Sequence, residues 1–220
     1  MSWKLSPDKL ATRDEVEKLL ARIRKVPFDY SFYGTLANTG LRISEGLHLR
    51  VEHVTKNGLS VIRRKRRGLD SEVLPVSDML MELLRARAKA VSKGWLWPGE
   101  ASGCVRVLHF RKRKRSVING IEQWRVIREW AERQELCKGG HIHKREMQRR
   151  WRLYVEELKI YRPGFGPHSL RHYAGTEFYR ATKDLRATQE ALGHSSPMVT
   201  TVYTHVVDMQ DQVKKVRPVT

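Results

Sequence analysis

Between Pro167 and His205 the chain reads PHSLRHYAGTEFYRATKDLRATQEALGHSSPMVTTVYTH, and this stretch holds most of the side chains that could do chemistry. His168 and Arg171 lie three apart, a spacing that on a helix shares one face. A Leu-Gly-His step follows at His194, and nine residues further on stands Tyr203. Two imidazoles, a guanidinium and a phenol are parts suited to attack on a phosphodiester. Breaking such a bond without water or metal needs a nucleophile for phosphorus, positive charge for the non-bridging oxygens, and a proton for the departing 5′ oxygen. A tyrosine can attack, although its free pKa of about 10 keeps it protonated unless cations or a base assist. Arginine suits the growing charge because its planar fork gives two parallel hydrogen bonds and never deprotonates. Lysine or histidine can deliver the proton. Arg42 and Lys65, far upstream, complete the set formed by His168, Arg171, His194 and Tyr203.

The elements that must position these groups can be followed along the chain. Residues 1–11 form an N-terminal arm. Thr12 and Glu15 make a capping box, followed by Val16, Leu19, Leu20 and Ile23 at helical spacing and closed by Pro27. A second helix over about 29–38 carries Tyr30, Phe32, Tyr33 and Leu36, which belong to the core. After the Thr39-Gly40 break, LRISEGLHL opens a third helix with Arg42 and Glu45 on one face. Alone, that i,i+3 pair would be an ordinary surface ion pair.

Asn57-Gly58 signals a tight turn, and Leu59–Ile62 and Glu72–Val76 are the arms of a hairpin. The run Arg63, Arg64, Lys65, Arg66, Arg67 lies at its tip, where five cations repel one another unless an anion lies across them. Ser77 caps a helix that runs to about Val91. A basic insertion spans about 99–137. It holds a second cationic run, Arg111, Lys112, Arg113, Lys114 and Arg115, and a helix is expected around Trp124, Ile127, Trp130 and Ala131. A further helix carries Met147, Trp151, Tyr154, Val155 and Leu158, ending before Pro163-Gly164. The expected fold class is α+β and mainly helical, with a small antiparallel sheet. In this division 12–205 is one catalytic domain, and 206–220 is a tail whose short apolar stripe could fold back or dock on a neighbour.

Composition narrows the partner. The 220 residues include 43 Lys and Arg against 24 Asp and Glu, a net charge of +19. Such a balance suits a polyanion, and double-stranded DNA is the leading partner. Two cysteines imply no disulfide framework and point to a reducing compartment, hence a cytoplasmic, DNA-associated protein. No signal-peptide run or membrane-length apolar stretch is present in the sequence. Cys137, His141 and His143 lack a fourth ligand at zinc-like spacing, so no metal site is assigned.

Four segments together resemble the tyrosine recombinases of the phage integrase family. TGLRISE at 39–45 is similar to that family's first arginine box and HSLRH at 168–172 to its second. LGHSS at 192–196 is similar to the third-histidine box, and VYTH at 202–205 to the nucleophile box. The order fits, as do the intervals of 23 residues from Arg171 to His194 and nine from there to Tyr203. The resemblance implies the recombinase catalytic fold and a role for each residue. Arg42 and Arg171 would clamp the scissile phosphate, His194 would donate to it, and His168 would help deprotonate Tyr203. Lys65 would protonate the leaving 5′ hydroxyl, and Glu45 would brace the arginines. A 3′-phosphotyrosine would hold the bond energy, so no cofactor or metal is implied. A homo-oligomer, a tetramer, would assemble on DNA.

Family members usually carry a separate DNA-gripping domain before the catalytic one, whereas only about a dozen residues precede the first helix here. A separate gripping or accessory protein is therefore a further implied partner. Two rivals share the fold: a type IB topoisomerase-like relaxing enzyme, and a DNA-binding regulator that has lost the reaction. Six intact catalytic side chains speak against the regulator.

Overall fold

A computed structural model of the chain describes residues 10–65, 68–99, 105–118, 121–135, 140–193, 203 and 207, with the side chains of 63–71 and 105–135 outside the description. The chain divides into two compact units, one made of 1–97 with 141–220 and the other of 98–140.

In the first unit, helix α1 (Arg13–Ile23) starts where local chemistry dictates. The Thr12 hydroxyl accepts from the Glu15 amide, and the Glu15 carboxylate accepts from the Thr12 amide. Val16, Leu19 and Ile23 are buried along one side. Pro27, which removes one donor from the chain, stands at the start of helix α2 (Pro27–Thr39), the position where that loss costs nothing. Helix α2 packs against α1, against α4 (Asp78–Val91) and against α6 (His168–Thr182). Its nearly continuous burial follows from that central place: Phe32, Tyr33 and Leu36 are all core residues. Edge-to-face ring contacts join Phe32 to Trp97, and Tyr33 lies beside Trp151 of α5 (Lys144–Glu157). The buried Asp29 carboxylate is matched by Arg150 at 3.0 Å and the Tyr154 hydroxyl at 2.6 Å. Burial and that carboxylate push the Tyr154 phenol up to about 12.

Helix α3 (Ile43–Leu47) is a single short turn between α2 and the first sheet. That sheet has strands β1 (Val54–Thr55), β2 (Gly58–Lys65) and β3 (Gly68–Leu74), antiparallel and in sequence order. Leu59 and Val61 are buried while Ile62 and Val73 are exposed, the alternation of a sheet with one covered face. Helix α7 (Leu185–Leu192) follows α6, capped by Asp184, whose side chain accepts from the amides of Arg186 and Ala187.

The second unit corrects the sequence expectation of a helix around Trp124. It is a two-stranded antiparallel ribbon, β4 (Val105–Ile118) with β5 (Ile121–Glu135). Trp124, Ile127, Trp130 and Ala131 match helical spacing by coincidence, because a bulge breaks the period of two. The closing rung pairs Ile118 with Ile121, and the sequence between them is Asn119-Gly120, the dipeptide most favoured in two-residue hairpin turns. Aromatic and β-branched residues then favour strands over a helix.

Candidate active site

Helix α6 is the scaffold of the site, and its second turn faces the core. Arg171 is almost fully buried, with a side chain 2% exposed. Its fork spans two distant pieces of backbone. One Nη donates to the Gly40 carbonyl at 2.6 Å and the other to the Leu192 carbonyl at 2.7 Å. Gly40 ends α2 in the left-handed conformation (φ 64°), and Leu192 is the last residue of α7. A buried guanidinium is tolerable only when its donors are used, and these carbonyls, left over at helix ends, are natural acceptors.

Arg42 is the residue just before α3, with extended backbone. Glu45, three residues on, serves it twice: one carboxylate oxygen accepts from the Arg42 amide at 2.8 Å and the other pairs with its guanidinium at 2.7 Å. The first of these oxygens also lies 3.9 Å from the Arg171 guanidinium. Glu45 therefore stands between the two arginines.

Tyr203 is buried, 1% exposed. Its ring lies close against Gly175 of α6: a Cβ built there would meet the tyrosine Cζ at 2.6 Å, Cε2 at 2.7 Å and Leu192 Cδ1 at 2.8 Å. Only a residue without a side chain admits that approach. Burial pushes the phenol up to about 12, against the opposing pull of Arg171 and Arg42. At neutral pH such a phenol is protonated and needs help to give up its proton.

The tyrosine hydroxyl lies 3.3 Å from Nδ1 of His172. With the proton on Nε2, that nitrogen accepts from the phenol. The ring of His172 in turn meets the ring of His168 edge-on, centroids 4.8 Å apart. His168 is held below its ordinary value, first by burial and then by Arg171, Arg42 and Lys144. His172 escaped the sequence reading although it stands four residues after His168, a helical neighbour in HSLRH.

The remaining expected residues fall elsewhere. Lys65 is the last residue of β2, in register with Gly68 at the hairpin tip. Arg63 and Arg64 are opposite Asp70 and Leu69, while Arg66 and Arg67 lie outside the described residues. His194 lies outside them too, one residue past Gly193, the left-handed cap of α7. Residues 206 and 208–220 are likewise outside, so the tail helix is not described. Arg111, Lys112, Arg113, Lys114 and Arg115 lie on β4. His143 caps α5, accepting from the Arg145 amide, and the His141 ring meets His48 at a tilt and Trp95 edge-on. Among the described residues no three His, Cys, Asp or Glu side chains gather as metal ligands, and no helix is long and apolar enough to cross a membrane.

Two outcomes follow from this geometry. Gly175→Ala should lower stability by about 1–3 kcal/mol, because the ring or Leu192 must move. In a Tyr203→Ala background the same substitution should cost much less, and urea midpoints of the four chains of the cycle would show the coupling. Additive losses would mean that the ring does not press on Gly175.

The second outcome concerns pH. His168 is lowered in the folded chain, so its contribution to stability is full above its unfolded value of about 6.5 and is lost as pH falls below it. Tyr203 is raised, so its contribution is full below about 10 and is lost as pH rises toward about 12. His168→Gln should flatten the acid limb of a melting-temperature profile and leave the alkaline limb in place.

The mainly helical body with a small antiparallel sheet, and the gathering of distant sequence boxes around α6, place the chain in a known class. The phage integrase family model matches residues 9–210, and the chain belongs to that family. It is 30% identical over 203 residues to an integrase/recombinase of Escherichia coli, which covers 89% of this chain and 59% of that protein. To the tyrosine recombinase XerD of Corynebacterium glutamicum it is 26% identical over 181 residues, 81% of this chain and 48% of the other. The chain thus spans about half the length of the curated relatives it matches. Among solved structures it is similar to the XerH site-specific recombinase in a post-cleavage complex with palindromic difH substrate. There the TM-score is 0.66 at 18% identity, over 95% of this chain and 53% of that one. It is also similar to the XerA recombinase, with a TM-score of 0.64 at 19% identity, over 96% of this chain and 66% of the other. At these identities the likeness establishes the fold.

Proposed function

We propose that this chain is a site-specific recombinase that cuts and rejoins double-stranded DNA through a 3′-phosphotyrosine at Tyr203. The observation that carries this reading is the convergence of a buried phenol, the Arg171 fork and the Glu45-braced Arg42 on one side of α6. The tyrosine oxygen attacks phosphorus and its proton passes to His172, whose ring nitrogen it already faces. Arg42 and Arg171 take the charge that develops on the non-bridging oxygens, with His194 as a further donor. Lys65, at the hairpin tip, gives a proton to the departing 5′ oxygen. His168, kept neutral by burial and the surrounding cations, supports the imidazole of His172. A 5′ hydroxyl from a partner strand then reverses the attack, and a tetramer on DNA is the assembly that brings four such strands together. The cationic run of residues 63–67 supplies phosphate contacts.

Covalent capture tests the proposal. The chain is incubated with a duplex nicked close to the cleavage point, from which the short leaving strand diffuses away. The expected product is a protein–DNA adduct that survives denaturant and disappears with protease. Absence of any adduct on duplexes that the chain binds would defeat the enzymatic reading and leave a DNA-binding regulator on this fold.

A further inference from the structure

The β4–β5 ribbon has a charge arrangement that composition alone does not reveal. Residues in direct register share one face, and the face alternates from rung to rung. Lys112 is registered opposite Arg128, and Lys114 opposite Arg125. The register shifts between Lys112 and Arg113, so that Ile127 is the extra residue of a bulge on β5. That bulge brings Arg128 and Arg125, three apart in sequence, onto the same face. Four cations therefore occupy two consecutive rungs of one face with no acid among them. The next rung on that face pairs Phe110 with Trp130.

The other face is different. Arg111 is registered opposite Glu129, Arg113 opposite Val126 and Arg115 opposite Trp124, so one cation has an acidic partner and none has a cation opposite. Like charges directly opposed destabilise a ribbon, and a two-stranded ribbon is only marginally stable in water. Rungs of one face are about 7 Å apart and strands about 5 Å, so the four positions share a patch no wider than about one Debye length, across which salt screens like charges incompletely. An arrangement of this kind is relieved by an anion with several charges at short spacing.

We infer that the face carrying Lys112, Lys114, Arg125 and Arg128 is a phosphate-backbone binding surface for double-stranded DNA, and that the opposite face is not. The inference rests on DNA as the substrate of the proposed function, but it needs nothing from the tyrosine chemistry. It also divides the RKRKR run: Lys112 and Lys114 bind, with Arg125 and Arg128 from the partner strand, whereas Arg111, Arg113 and Arg115 do not.

Two triple variants of the full chain remove the same charge from the two faces, K112Q/K114Q/R125Q and R111Q/R113Q/R115Q. Affinity for a duplex of about 30 base pairs is measured by fluorescence anisotropy between about 50 and 200 mM salt. The first variant should lower the slope of log affinity against log salt by about 2 to 3, near 0.9 for each phosphate that is no longer neutralised, and the second by less than about 1. The charge-preserving variant R125K/R128K should keep the wild-type slope. Matching far-UV circular dichroism shows that the ribbon survives in each chain. Equal slopes for the two triple variants would overturn the inference, as would an unchanged slope in the first. Polyglutamate of equal charge competing as well as DNA would also overturn it, by assigning the face to an acidic protein. Covalent capture at low salt is read in parallel: an adduct-negative wild-type chain that still shows the face-dependent slopes fails the recombinase reading alone.

Discussion

Tyr203→Phe should form no covalent adduct on a nicked duplex at any time of incubation, while duplex affinity stays within about twofold of the unsubstituted chain. The substitution removes one oxygen and keeps the ring that fills the space against Gly175 and Leu192. The hydroxyl lies 3.3 Å from His172, so the stability forfeited with it should be no more than about 1 kcal/mol. A chain that folds, binds and cannot attack is the signature of a missing nucleophile. Any surviving adduct would assign the bond to another side chain. The same variant carries an alkaline signature: the stability that Tyr203 loses between about pH 10 and 12 should vanish with the phenol.

Arg171→Ala should produce the largest combined loss of stability and activity. The guanidinium is buried and holds the carbonyls of Gly40 and Leu192 together, and without it both acceptors are left in a region that water does not reach. Each charge-assisted hydrogen bond contributes about 1.5–3 kcal/mol, so a loss of about 3–5 kcal/mol is expected. For a chain of this size the melting temperature should fall by roughly 10 °C. Arg171→Lys keeps the charge but not the fork. It can reach one carbonyl at a time, and should recover no more than about half of the stability. At a temperature where circular dichroism shows Arg171→Lys folded, adduct formation should still be slower by about 10²-fold or more, as for loss of a donor to a developing oxyanion. A lysine variant with normal adduct rates would reduce Arg171 to a structural brace.

What the sequence disclosed was whatever depends on neighbours in the chain. The Thr12–Glu15 cap, the Ser77 cap of α4 and the stripes of α1 and α5 all follow from residues a few positions apart, as does the tight turn at Lys56-Asn57, one residue before the Asn57-Gly58 signal. The box motifs offered the candidate reactive side chains in the same way. What they could not disclose was the means of holding Arg171, since its acceptors are backbone carbonyls 131 and 21 residues away. Backbone atoms carry no letter in a sequence. Gly175 was equally silent, because its value lies in a ring that arrives from 28 residues later in the chain. His172 is open to view in HSLRH, four residues after His168, and helical geometry sets both on one side of α6. The ribbon was misread for a different reason: one bulged residue disturbs the alternation of Trp124, Val126, Arg128 and Trp130, and what is left imitates a helical period.

That bulge has a consequence for how the gene can vary. Ile127 is the one residue of β5 in no cross-strand pair, so loss of its codon would leave Lys112 opposite Arg128 and Lys114 opposite Arg125 and would only make the ladder regular. Loss of the Val126 codon is made up in the same way, with Ile127 taking the vacated rung opposite Arg113. The arm thus holds one residue in reserve on β5. A single deletion near the bulge should spare both faces, whereas a second one, with no matching loss on β4, should carry part of the strand to the reverse side.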